Sequence, residues 1–261
     1  MLDFAGQGQP LSQTGFDAAR DTMDIDDPAL WAVLFVETSG CGFLPDRRPK
    51  ILFERHKFRA WTGGRFDLRA PDVSGTSGRP YGADGAHQYA RLEVAMKLDE
   101  AAALKSASWG LGQILGENHK DAGFADVHAM VAAMVAGEDD QLTAMVNFIR
   151  ANGLFLALRT RDWTEFARHY NGPRFKENNY DGKLRDSFVK FSTGPMPDLR
   201  VRAVQAYLTY KGFDPHGVDG IAGTHTANAV KAFQASIGVA ATGIVNDALL
   251  RALAESGDLI S

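Results

Sequence analysis

The chain has 261 residues, 45% of them hydrophobic and 23% charged, the make-up of an ordered soluble protein with room for one full-sized domain and a small one. A net charge of −4 argues against nucleic acid as the main partner. A single cysteine, Cys41, excludes an intramolecular disulfide and fits a reducing compartment.

The first strong element spans residues 27–40. Asp27 reads as its N-cap, Pro28 suits the first helical position, and Gly40 suits a left-handed stop. Leu30, Val33 and Leu34 line one face, and Glu37 follows them at i+3 and i+4 on that same apolar face. Desolvation and the negative end of the helix dipole both favour a protonated acid there, the state a general acid needs. A carboxylate that merely snorkels at a helix end fits the same spacing. Residues 41–84, rich in Gly and Pro with one apolar run (Ile51, Leu52, Phe53), are expected to form a small sheet or long loops.

Helical signals dominate onward to residue 191. Asp99, Asp126 and Asp162 are placed to cap helices over 100–105, 127–135 and 163–170. Leu142, Met145, Val146 and Ile149 form a core-facing stripe, and Leu184, Phe188 and Phe191 continue that period in a later helix. Gly194, Pro195 and Pro197 then break the pattern. The expected organisation is a catalytic domain over 1–191, a short linker over 192–198 and a second domain over 199–261. That second segment is neutral, with five basic and five acidic residues, so its partner is bound by shape, hydrogen bonds and stacking. It holds a weak repeat: Gly212-Phe213 then Asp219-Gly220-Ile221 before a helix near Thr224, and Gly238-Val239 then Thr242-Gly243-Ile244 before a helix near Asn246. With an opening helix (Val201, Val204, Leu208) this predicts a three-helix binding module.

Four clusters carry chemistry. They are Val36 to Phe43 around Glu37, Pro49 to Phe58 around Glu54, Ser106 to Ile114 with Trp109 and Gln113, and Tyr170-Asn171-Gly172-Pro173. A Glu at a helix end, a Gly-Leu-x-Gln-Ile turn and a Tyr-Asn-Gly turn, in this order, resemble goose-type lysozymes and lytic transglycosylases. All four together closely resemble the N-acetylmuramidase domain of endolysins from phages of Gram-negative bacteria, over roughly residues 20–190. Residues 199–254 resemble the small peptidoglycan-binding module of wall hydrolases, through Val201-Arg202-Ala203-Val204-Gln205, Val218-Asp219-Gly220-Ile221 and Thr226 to Gln234.

The resemblance implies a mainly α protein: a lysozyme-like α+β catalytic domain followed by the three-helix module. It implies hydrolysis of the β-1,4 bond between N-acetylmuramic acid and N-acetylglucosamine, with Glu37 as general acid. Glycosidases usually need a second carboxylate, and Glu54 is chosen over Asp46, Asp67, Asp72 and Asp84 because it follows an apolar strand-like run and precedes Arg55 and His56. Pairing of Glu54 with Arg55 or His56 as a structural buttress is the alternative. Gln113, Tyr170, Asn171, Ser108 and His56 are the substrate-binding candidates, although Tyr170 and Trp109 also fit core positions.

A cysteine peptidase would use Cys41 with His56 or His169, and a zinc amidase would need ligand spacings that the seven histidines do not show. A non-catalytic wall binder would have no use for an acid on the apolar stripe. A lytic transglycosylase would use Glu37 alone and leave 1,6-anhydro ends. The partner is expected to be peptidoglycan, without membrane insertion, metal or organic cofactor, and the protein to be monomeric. Residues 1–7 lack the features of a signal peptide, so synthesis in the host cytoplasm and release through a holin-type pore to the periplasm are expected. The module is expected to act as a tether, whose removal costs more on intact sacculi than on short soluble glycans.

Overall fold

Aspartate caps set several helix starts in this protein, a computed structural model that describes residues 4–38, 40–77 and 82–255. Ser39 of the first cluster, residues 1–3, residues 78–81 of the Gly/Pro-rich stretch and the tail 256–261 lie outside the described residues. In chain order the helices are α1 (Gln13–Met23), α2 (Asp27–Thr38), α3 (Arg55–Trp61), α4 (Ala86–Met96), α5 (Glu100–Lys105), α6 (Val127–Ala136) and α7 (Glu138–Ala151). They continue as α8 (Phe155–Arg159), α9 (Trp163–Tyr170), α10 (Tyr180–Thr193), α11 (Leu199–Tyr210), α12 (Thr224–Ser236) and α13 (Asp247–Glu255). The strands are β1 (Ile51–Phe53), β2 (Ala107–Trp109) and β3 (Ile114–Leu115). The described residues are thus mainly helical with one small sheet, as the sequence implies.

Asp99, Asp126 and Asp162 each accept the backbone N–H three residues on, at Ala102, Ala129 and Glu165. The cap of α2 differs from expectation. Asp26, not Asp27, accepts from Ala29 N at 3.1 Å, and Asp27 is instead the first helical residue, paired with Arg20 at 3.0 Å. A carboxylate in the first turn with an arginine partner is as favourable to the helix dipole as a cap, so the pattern Asp-Asp-Pro permits both registers.

The chain divides into two compact units. The first comprises Met1–Gly8, Gly42–Leu44 and Arg48–Asn152; the second comprises Gln9–Cys41, Pro45–Arg47 and Gly153–Ser261.

In the first unit β2 lies between β1 and β3, antiparallel to both, with Ile51 opposite Trp109 and Ser108 opposite Leu115. Among its described residues the 41–84 stretch therefore supplies one strand, β1. The other two come from the Ser106–Leu115 segment, and residues 55–61 turn out to be helical. Arg55 explains why the following loop is ordered: its guanidinium donates to the carbonyls of Pro71, Ser74 and Thr76. Such a hub links residues far apart in sequence and leaves no periodic trace. Trp109, fully buried, donates from Nε1 to Leu104 O at 3.1 Å and is a core residue rather than a sugar platform.

In the second unit α2 packs along α10, where Phe35 meets Phe191 edge-on at 5.7 Å and Lys190 sits 4.7 Å over the Phe35 ring. Leu30, Val33 and Leu34 are fully buried, but so are Ala29, Trp31 and Ala32, so this part of α2 is enclosed on every side and not along one face alone. The repeat over α11–α13 has a physical basis. Gln205 and Gln234, both buried on helices, each accept the N–H of a left-handed glycine, Gly220 at 2.8 Å and Gly243 at 2.9 Å. Their amide N–H groups donate to Asp219 and Thr242, the polar residue before each glycine. Each half is thus a Gly turn clasped to a helix by one glutamine, around a core of Val204, Leu208, Val230, Phe233, Leu249 and Leu253. Gln205→Leu orphans the buried Gly220 N–H, so a loss of about 2–3 kcal/mol in urea unfolding is expected. Gln234→Leu, beside a more exposed turn, is expected to lose less.

Candidate active site

Glu37 lies in the last turn of α2, on the second unit. The residue is half-buried, but one carboxylate oxygen, Oε1, is sealed from solvent and has no hydrogen-bond partner. Burial raises its pKa from the usual carboxylate range to about 8. An acid enclosed in this way resists ionisation near neutral pH. Tyr170, at the end of α9 in the same unit, is stacked on Phe166 at 5.0 Å. Desolvation holds its phenol well above the ordinary value, and the charge of Glu37 adds to the effect, so the two groups share one electrostatic neighbourhood. Asn171, the C-cap of α9, is exposed, and its backbone N–H donates to Ala167 O at 3.0 Å.

The other candidates belong to the first unit. Glu54 is the N-cap residue of α3, yet its side chain makes no cap hydrogen bond. Its backbone N–H donates to Ser106 O at 2.8 Å, which fixes it against the strand β2. The carboxylate faces His56 Nε2 at 3.4 Å, and the two side chains are 19% and 29% exposed, accessible enough to meet a ligand. Among the other carboxylates weighed for that role, Asp67 is held below the usual range by hydrogen bonds from Ser74 and Arg59. Asp46 and Asp84 are exposed on loops. Ser108 is buried in the middle strand. Gln113 sits at φ +46°, and its amide N–H group donates to Lys50 O and Gly110 O, so that half of the side chain holds the β2–β3 turn together. Cys41 is buried, and His169 pairs with Glu165 on its own helix, an arrangement that gives a cysteine nucleophile no support.

Sequence reasoning passed over the groups that hold the glycine clusters. Gln141 is buried, accepts from Leu111 N at 2.7 Å and donates to Met134 O at 2.7 Å. Glu138, also buried, accepts from Gly42 N at 2.7 Å. A Cβ at Gly42 would sit 2.0 Å from Gln141 Oε1, and one at Gly110 would sit 2.6 Å from its Cδ. The glycines of the first and third clusters therefore admit the first turn of α7 rather than cradling a ligand. A polar pair opening an otherwise apolar stripe, Glu138 and Gln141, was the signal available.

The proton on Glu37 has a consequence for stability. Its folded pKa, about 8, lies above its unfolded value, so between the two the native state holds a proton that the unfolded chain releases. Stability contributed by the neutral acid is present below the unfolded value and is lost as pH rises toward 8. Glu37→Gln removes this slope. Relative to wild type, the variant is expected to gain on the order of 3 kcal/mol between pH 4.5 and 8.5 in urea unfolding. Parallel pH profiles for the two proteins would show that the carboxyl is not shielded.

Comparison with known proteins places this geometry. The family model described as N-acetylmuramidase matches residues 26–192, and one described as a peptidoglycan binding domain matches residues 198–253. The comparison with curated proteins finds no match. Among solved structures, the crystal structure of the Burkholderia AP3 phage endolysin is similar, with 40% sequence identity and a TM-score of 0.63 over 70% of this chain and 72% of that one. Both findings agree with the resemblance carried by the four clusters and by the helical repeat. This chain belongs to the N-acetylmuramidase family and carries a peptidoglycan binding domain after the muramidase segment.

Proposed function

We propose that the protein is an endolysin that hydrolyses the β-1,4 bond between N-acetylmuramic acid and N-acetylglucosamine in peptidoglycan. The observation that carries this reading is the sealed Oε1 of Glu37 at the end of an apolar helix, where burial raises the pKa to about 8. As general acid, Glu37 gives its proton to the glycosidic oxygen while the bond from that oxygen to the anomeric carbon breaks. Positive charge then builds on the sugar ring. Glu54 is the second carboxylate, which either bonds to the anomeric carbon or takes a proton from the water that does. His56 Nε2 lies 3.4 Å from its carboxylate.

Gln113, Ser108, His56, Tyr170 and Asn171 are the proposed substrate-binding residues. Of these, Asn171 is the most exposed, and Gln113 keeps its carbonyl oxygen for a sugar amide. The binding domain gives peptidoglycan as the partner of residues 198–253. Among the described residues no helix is long and apolar enough to cross a membrane. Action on the wall from the periplasm, after holin-type release from the host cytoplasm and ending in lysis, follows from the endolysin reading, as does a monomeric protein without cofactor.

The test is mass spectrometry of muropeptides released from purified Gram-negative sacculi by wild type, Glu37→Gln and Glu54→Gln. Reducing N-acetylmuramic ends are expected from wild type, with at least a thousandfold loss in Glu37→Gln, which can no longer donate the proton. Anhydro ends that persist in Glu54→Gln would move the chain to the transglycosylases. Cleaved stem peptides, or an active Glu37→Gln protein, would overturn the reading.

A further inference from the structure

Helix α2 ends without a cation of its own, since no basic residue lies in its last turn. The cation comes from α11. Arg202, 1% exposed, donates from Nε to Gly40 O at 2.6 Å, the carbonyl just beyond the end of α2. A guanidinium there satisfies a carbonyl at the helix stop and offsets the negative end of the helix dipole. A second contact is independent of the first. A Cβ at Gly40, where φ is +89°, would lie 2.5 Å from Val218 O, so the backbone before the Gly220 turn bears directly on the residue three places after Glu37. Toward the other end of α2, Met196, Pro197 and Leu199 share a cavity of about 320 Å³ with Asp27 and Trp31. Asp198 N–H then donates to Gly220 O at 2.9 Å, tying that segment back to the turn.

We propose that the peptidoglycan binding domain is part of the support of the catalytic acid, with Arg202 as a positioning residue that fixes the end of the helix bearing Glu37. The inference rests on Glu37 being the acid. It departs from the picture of a detachable tether, which would leave turnover of a short soluble glycan untouched. With Arg202 and the Val218 backbone seated on Gly40, any displacement of the domain is transmitted to the last turn of α2, and an acid displaced by about 1 Å loses on the order of a hundredfold in rate.

The experiment measures kcat and KM across pH on a soluble, peptide-free glycan tetrasaccharide, with sacculus pull-down in parallel, all on the full chain. The variants are Arg202→Gln, Arg202→Lys and Gly40→Ala, with Arg251→Gln on the exposed face of α13 as control. Expected results for Arg202→Gln and Gly40→Ala are a tenfold to hundredfold fall in kcat, with KM and sacculus binding close to wild type. Arg202→Lys, which keeps the charge and a donor, should restore part of the lost kcat. Gly40→Ala strains the same junction while keeping the buried charge, so it carries the test if Arg202→Gln does not fold. Wild-type kcat in the folded variants, with or without weaker sacculus binding, overturns the inference. Glu37→Gln in the same assay separates the two claims: its full activity removes the proposed acid, whereas an inactive Glu37→Gln beside a fully active Arg202→Gln defeats the positioning role alone.

Discussion

A carboxyl group enclosed away from water resists ionisation, and that is the condition of Glu37 at the end of α2. The middle of α2, from Ala29 to Leu34, is buried on every face, and Glu37 follows Val33 and Leu34 one turn later. Enclosing Oε1 without a partner costs stability, a cost ordinary for a site and wasteful anywhere else. The helix is secured accordingly: Asp26 caps its start, Phe35 packs on Phe191 of α10, and Gly40 ends it in the left-handed region.

Amide side chains recur as fasteners. Gln141 holds the turn after β2 to α7, and Gln205 and Gln234 hold the two glycine turns of the helical repeat. In each case a buried glutamine accepts a backbone N–H, which satisfies a turn that could not otherwise be buried. Glycine is required because the amide approaches where a Cβ would stand, as at Gly42 and Gly110, or because the turn needs positive φ, as at Gly220 and Gly243. The Gly-rich stretches of the first and third clusters and of the helical repeat are thus explained by packing.

The second unit joins residues that the sequence separates widely. Arg202 and Gly40 are 162 positions apart and share one of the short hydrogen bonds of the protein. Arg159 and Arg161 likewise reach back to Asp24 and Asp26, just ahead of α2. The helix of the proposed acid therefore takes its boundary conditions from later parts of the chain, and the binding domain is one of them.

Local chemistry was legible in the sequence. The caps at Asp99, Asp126 and Asp162, the stop at Gly40, the apolar stripe leading to Glu37 and the repeat of residues 199–254 all depend on spacings of a few residues, which a linear reading captures. The cap at Asp26, the helix α3, the sheet drawn from two distant segments and the clamp of Arg55 were not legible. Each depends on partners brought in from elsewhere, and tertiary contact overrides local preference where several registers are nearly equal. The sequence by itself determined which residue types stand on which helix face, and so placed an acid on an apolar stripe. Only the tertiary structure decided that one oxygen of this acid is sealed from water and that a buried arginine from α11 reaches the carbonyl just beyond the helix, because burial and charge pairing are properties of surroundings and not of spacing.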